Sequence, residues 1–162
     1  MRGLGPLRTG EVHARSRLAA PRAEVWEHIV SPEGINDELR PFLRMSVPRG
    51  FEGLDADGFE VGKPLGRSWI LLFGAIPVEC DDITVARLDA GSGFLERSKM
   101  LSQRLWEHER TIEDDGDGCV LSDRMRFEPR LPIPAAWNRP LVRLLLRHRH
   151  RRLRRRFGGH SL

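Results

Sequence analysis

Long apolar runs are missing from this chain, and nowhere do the roughly 18 consecutive apolar residues of a membrane-spanning helix occur. The start, Met1-Arg2-Gly3-Leu4-Gly5-Pro6, lacks the apolar stretch of a secretory leader, so a cytoplasmic location is expected. Cysteine is scarce. Cys80 and Cys119 fall in different strand-like segments, with neither a CxxC spacing nor a histidine cluster. That pattern argues against a bridge or a metal site and for small buried apolar side chains. No cofactor is expected. Internal repeats and low-complexity linkers are absent too, and 162 residues suit one domain over residues 11–158 with loose ends at 1–10 and 159–162.

Basic charge is present, but in one place. Arg147-His148-Arg149-His150-Arg151-Arg152-Leu153-Arg154-Arg155-Arg156 carries seven arginines, and without it the remainder has 20 basic against 23 acidic residues. The net charge of +4 therefore belongs to a helix end, not to the body of the protein. Three roles are open for it: a solvated end that complements the helix dipole, a contact with an anionic membrane surface through Arg147, Arg151, Arg152, Arg154 and Arg155, or nucleic-acid binding. Nucleic acid is disfavoured because no aromatic interleaving, recognition-helix pattern or zinc spacing accompanies the charge.

Alternation over Glu11 to Leu18 predicts a half-buried first strand. Pro21 opens a short helix with Val25, Trp26, Ile29 and Val30 on its apolar stripe, and a second short helix is expected from Pro32 to about Leu43. A strand near Met45 to Val47 precedes a polar loop over residues 49–62. The loop's Asp55-Ala56-Asp57-Gly58 lacks the third acid and distal Glu of a calcium loop, so a plain turn is expected. Strands follow over Gly66–Phe73, Val78–Leu88 and Phe94–Met100. After Pro134 the spacing turns helical, with Trp137, Leu141, Leu144, Leu145 and His148 on one stripe and Val142, Leu146, Leu153 and Phe157 on its neighbour. The order predicts an α+β fold in which a curved antiparallel sheet wraps around a long C-terminal helix, with two short helices after the first strand and a cleft between sheet and helix.

The segment from Arg104 to Glu128 reads as a hairpin around the turn cluster Glu113-Asp114-Asp115-Gly116-Asp117-Gly118. A four-residue loop, Asp114 to Asp117, pairs Glu113 with Gly118, Arg110 with Leu121, His108 with Asp123 and Trp106 with Met125. Trp106, Ile112, Leu121, Met125 and Phe127 share that face, so the histidine and carboxylate sit among apolar neighbours. A turn at Leu101-Ser102-Gln103 then pairs Met100 with Arg104, Ser98 with Trp106, Glu96 with His108 and Phe94 with Arg110. Glu96, His108 and Asp123 are expected in one row, with Arg110 beside them.

This row admits three roles: a satisfied network that pins sheet register, a polar group that orients a ligand, or an acid–base pair. No catalytic residue is assigned, although His108, Glu96 and Asp123 are the candidates. Trp69, Trp106 and Trp137 are further cavity candidates, together with Ser98, Met125, Leu141, Leu145 and His148. Asn36 and Glu38 fit a cavity mouth, a helix cap or a solvated surface equally well.

Several segments also resemble a known family. Ala20-Pro21-Arg22-Ala23-Glu24-Val25-Trp26 follows the first strand, then come Gly34-Ile35-Asn36-Asp37-Glu38-Leu39-Arg40-Pro41-Phe42-Leu43-Arg44-Met45 and Phe73-Gly74-Ala75-Ile76-Pro77. With Trp106-Glu107-His108-Glu109-Arg110, Asp123 and the arginine-rich end, they resemble, in this order over residues 11–158, small bacterial proteins of the START-like, SRPBCC superfamily. The resemblance implies a helix-grip fold and a cavity for lipids, polyketides, quinones or other hydrophobic molecules. It covers carriers as well as cyclases and dehydratases, so it supplies no reaction. The expected function is binding of a small hydrophobic ligand. A cyclase or dehydratase using His108 with Glu96 or Asp123 is the rival, and a membrane-surface or nucleic-acid adaptor is a third possibility.

Overall fold

A computed structural model describes residues 9–55 and 59–162. Most of the expected loose N-terminus and part of the Asp55–Gly58 turn lie outside the described residues. The chain forms β1 (Gly10–Leu18), α1 (Arg22–Ile29), α2 (Pro32–Leu39), β2 (Leu43–Met45), β3 (Pro64–Leu72), β4 (Ile76–Asp89), β5 (Gly93–Met100), β6 (Gln103–Asp115), β7 (Gly118–Pro129), α3 (Ala135–Phe157) and β8 (Gly159–Ser161). The strands make one antiparallel sheet in the order β2-β3-β4-β5-β6-β7-β1-β8. No helix among the described residues is long and apolar enough to cross a membrane.

Local chemistry sets the element ends. Ser31 caps α2, its Oγ accepting from the Gly34 amide at 3.0 Å, and Pro32 takes the first helical turn, where a missing N–H costs nothing. The helix stops at Leu39 rather than near Leu43, because Arg40 precedes Pro41 and is held extended. Gly159–Ser161, expected to be loose, pairs with Ser16–Leu18, since β1 otherwise leaves an open ladder on that side.

The hairpin of β6 and β7 has the expected parity but a register displaced by two. Gly116 adopts φ 63°, and Gly116-Asp117 alone make the turn, so Asp115 pairs with Gly118 and the ladder runs two residues further than expected. Arg17 on β1 holds the acidic tip through Asp115 at 2.7 Å and Asp117 at 3.0 Å. Asp123 therefore lies opposite Arg110, and His108 opposite Met125. The neighbouring register of β5 and β6 matches expectation, pairing Glu96 with His108, Phe94 with Arg110 and Ser98 with Trp106.

Helix α3 packs on β1, β7 and α2. Its buried side is Ala135, Val142, Leu146, His150 and Leu153. Most of the neighbouring stripe, with cavity candidates Trp137 and Leu141, points away instead: Trp137 is 74% exposed, Leu141 69% and Leu144 65%, whereas Leu145 is half-buried. Val142 and Leu146 win that contact because they lie on the same face as Leu153, beneath which Leu18, Ile112 and Leu121 form the core. With α3 seated on the β1–β7 half, the β2–β5 half of the sheet stands clear of it.

Candidate functional site

That separation leaves a cleft of about 950 Å³ of empty space, part of it open to solvent. Its walls are mainly apolar, with Ile35 and Leu39 from α2, Ile70 from β3, Val85 from β4, Phe94 from β5 and Leu145 from α3. Four polar side chains interrupt them: Asp81, Glu96, His108 and Arg149.

His108 belongs to a buried network centred on Asp123. Its Nε2 lies 2.9 Å from Asp123 Oδ1, a diagonal contact across the ladder rather than the directly opposed pair expected. Arg110 donates to both oxygens of Asp123 at 2.7 Å and to both oxygens of Glu38 at 2.7 and 3.0 Å. Arg149 Nε donates to Glu38 at 2.8 Å, and His150 Nε2 lies 2.9 Å from Asp123 Oδ2. Arg154 donates to Ser16 Oγ, whose hydroxyl proton remains available to His150 Nδ1 at 2.9 Å; this leaves Nε2 as the N–H donor to Asp123.

Electrostatics make this network a fixed framework. Burial alone would raise both carboxyl pKa values, but Arg110 with His108 holds Asp123 well below the usual range, and Arg110 with Arg149 holds Glu38 at about 2. Burial works against the Arg110 cation as well, and its two carboxylates override it, raising its pKa above the ordinary value. Two guanidiniums, Arg110 and Arg149, thus balance two carboxylates. His108 Nε2 is committed to Asp123, so its other nitrogen is the one left for the cleft.

Glu96 does not complete the expected row with His108 and Asp123. Although opposite His108 in the ladder, it accepts from Ser98 Oγ at 2.7 Å and shares the cleft wall with Asp81 of β4. The hydroxyl captures it, because Ser98 lies two residues along the same strand and so on the same face. Burial, then the Glu96 charge, pushes the Asp81 carboxyl up to about 9.

Of the other candidates, Trp106 and Leu145 line the cleft. Ser98 and Met125 are buried beneath its wall, whereas Trp69 is 46% exposed on the other side of the sheet's ladder from Asp81's neighbour Ser68. Trp137 and Leu141 face outward, as does most of Leu144. His148 donates to the Arg40 carbonyl at 2.7 Å and packs edge-on against Phe42, joining α3 to the end of α2 instead of entering the cleft. Asn36 is a clamp, exchanging two hydrogen bonds with the Met45 backbone at 3.0 and 2.7 Å. Among the described residues no group of three His, Cys, Asp or Glu side chains is arranged to hold a metal ion.

Sequence reasoning missed His150, Arg149 and Asp81 and left Glu38 undecided. His150 had a signal: it continues the Val142, Leu146 and Leu153 stripe at helical spacing. Asp81 shares strand parity with Ile83 and Val85, which line the cleft beside it. Nothing in the sequence marks Glu38 as the partner of Arg110, 72 residues away.

The sequence model of a family described as "Domain of unknown function (DUF8410)" matches residues 16–157. No curated protein matches the chain. Among solved structures, protein CV1439 from Chromobacterium violaceum is similar at a TM-score of 0.69 and 17% identity, over 94% of this chain and 99% of that one. A START superfamily protein from Mycobacterium smegmatis is similar at 0.63 and 14%, over 93% and 97%. Ara h 8.0201 is similar at 0.59 and 10%, over 90% and 95%. At these identities the likeness establishes the fold, which is the START-like helix-grip.

Proposed function

Because the chain belongs to the family described as a domain of unknown function, DUF8410, whose description assigns no activity, we propose its function from the cleft: it binds a small hydrophobic molecule between sheet and α3. The observation that carries this reading is a mainly apolar cleft with few polar side chains, one of them a histidine fixed by a buried carboxylate. Apolar walls supply affinity and His108 orients a carbonyl or hydroxyl on the bound molecule. Native mass spectrometry of protein purified from its own host tests this. A retained apolar molecule is expected, and protein that neither retains such a molecule nor takes up apolar probes would overturn the reading.

The same His108–Asp123 pair supports a cyclase or dehydratase, since an oriented imidazole is the group acid–base chemistry uses. Turnover of the retained molecule, lost in His108→Gln, distinguishes that enzyme from a carrier.

The outward side of α3 supports a membrane contact. Trp137, Leu141 and Leu144 are followed along the helix by the exposed Arg147, Arg151 and Arg155, and the helix contains no acidic residue. Of the five arginines expected to be free, Arg152 engages Asp37 at 2.7 Å and Arg154 engages Ser16, so the cationic surface is narrower than the sequence implies. Vesicles containing phosphatidylserine should bind at low salt and phosphatidylcholine vesicles weakly, with loss in Trp137→Ser/Leu141→Ser. Equal binding to both vesicles, or a preference for RNA, would sink this contact.

A further inference from the structure

We propose that Asp81 and Glu96 form a carboxyl pair in the cleft wall that binds the ammonium group of an amphiphilic amine, an inference that rests on the cleft being a ligand site. Asp81 is 3% exposed, lines the cleft, and its Oδ1 has no hydrogen-bond partner among the described residues. A buried acceptor without a donor is costly, and a ligand N–H supplies the missing donor. Glu96 beside it already takes the Ser98 hydroxyl at 2.7 Å. Two neighbouring buried carboxyls in one cleft wall retain one proton between them at neutral pH, which leaves one negative charge facing an apolar space. Burial and the Glu96 charge act in this direction on Asp81.

Among the described residues, no cation of the surrounding elements is paired with either carboxyl. On β5, Arg97 pairs with Glu107 at 2.8 Å, while Lys99 lies opposite Asp82 and is exposed. On β4, Glu79 adds a further negative charge and is turned to Ser102 and the Leu101 amide. From β3, Ser68 donates to the Ser46 carbonyl. Arg149 on α3 is joined to Glu38, and Arg110 on β6 to Glu38 and Asp123, so those two cations and two anions balance among themselves. His108 on β6 is committed to Asp123 through Nε2. An ammonium on an apolar tail therefore meets a partner for both its charge and its chain. An alcohol offers the donor without the charge, and a carboxylate is repelled.

Three probes of equal chain length separate these cases: n-decylamine, 1-decanol and decanoate, titrated by calorimetry at pH 7. The amine is expected to bind at least tenfold more tightly than the alcohol, with decanoate weakest. Asp81→Asn and Glu96→Gln, both close to isosteric, should bring the amine within about twofold of the alcohol and leave the alcohol's affinity unchanged; thermal melts verify that each variant is folded. Leu145→Trp, which fills the cleft, should abolish binding of all three. Equal affinity for amine and alcohol in the unaltered protein, or an amine advantage that survives in both carboxyl variants, would overturn the pair's role while leaving the cleft reading intact. Failure of every probe to bind, or binding untouched by Leu145→Trp, would overturn the cleft reading and the pair with it.

Discussion

Arg110 is fully buried, and its guanidinium holds the two carboxylates Glu38 and Asp123 in their charged forms. Replacing it by Met leaves two buried negative charges with one remaining cation, and a loss of about 3–5 kcal/mol is expected in urea denaturation. Protonation follows the same logic. Glu38 has its pKa depressed from 4.5 to about 2, so the stability it contributes is complete above 4.5 and is lost as pH falls towards 2; the shift corresponds to about 3 kcal/mol. Asp81 works in the opposite sense. Its raised pKa makes the folded state hold a proton that the unfolded chain releases near 4, so stability declines as pH rises from there towards about 9. Thermal melts across pH should show both limbs, the acid one flattened in Glu38→Gln and the alkaline one in Asp81→Asn. His108, Arg110 and Asp123 were legible in the sequence because strand alternation assigns them a common face. Their partners Glu38 and His150 were not, since periodicity within one element says nothing about which side chain from a distant helix reaches it.

At the scale of the element, α3 shows how far a helical pattern can mislead. Two apolar stripes compete on it, and the sequence names residues of the one holding Trp137 and Leu141 as cavity candidates, yet packing buries the one holding Val142, Leu146 and Leu153. Leu146→Ala should therefore cost about 3 kcal/mol and Leu141→Ala less than about 0.5 kcal/mol in the same denaturation assay, the reverse of the order the outward stripe suggests. Glycine decides a second junction. A Cβ on Gly34 would lie 1.7 Å from the His28 carbonyl oxygen, so Gly34→Ala forces α1 and α2 apart, and a thermal midpoint well below that of Ser31→Ala is expected. In the hairpin of β6 and β7 the parity was readable and the register was not. Asp114 to Asp117 and Gly116-Asp117 are both chemically acceptable loops, and a shift of two preserves every face.

Across the whole molecule, the sheet is covered unequally. The β1, β6 and β7 half carries α3 and the buried network, while β3 and β4 border the cleft. Amide exchange should accordingly be slowest in β1, β6, β7 and the Val142–Leu153 part of α3, and faster in β3 and β4; uniform protection would contradict this division. Binding of an apolar molecule in the cleft should slow β3 and β4 selectively. The strand and helix order up to α3, the two short helices and the inward faces of β5, β6 and β7 followed from the sequence by itself, because they rest on period, proline and glycine, which act within a few residues; β8 did not. Which face of α3 meets the sheet, which carboxylate answers Arg110, and that Asp81 and Glu96 line one cleft were decided only by the tertiary structure. Those outcomes depend on the packing of segments far apart in the chain, where burial of one apolar stripe excludes another and a charge takes whichever partner the fold brings within reach.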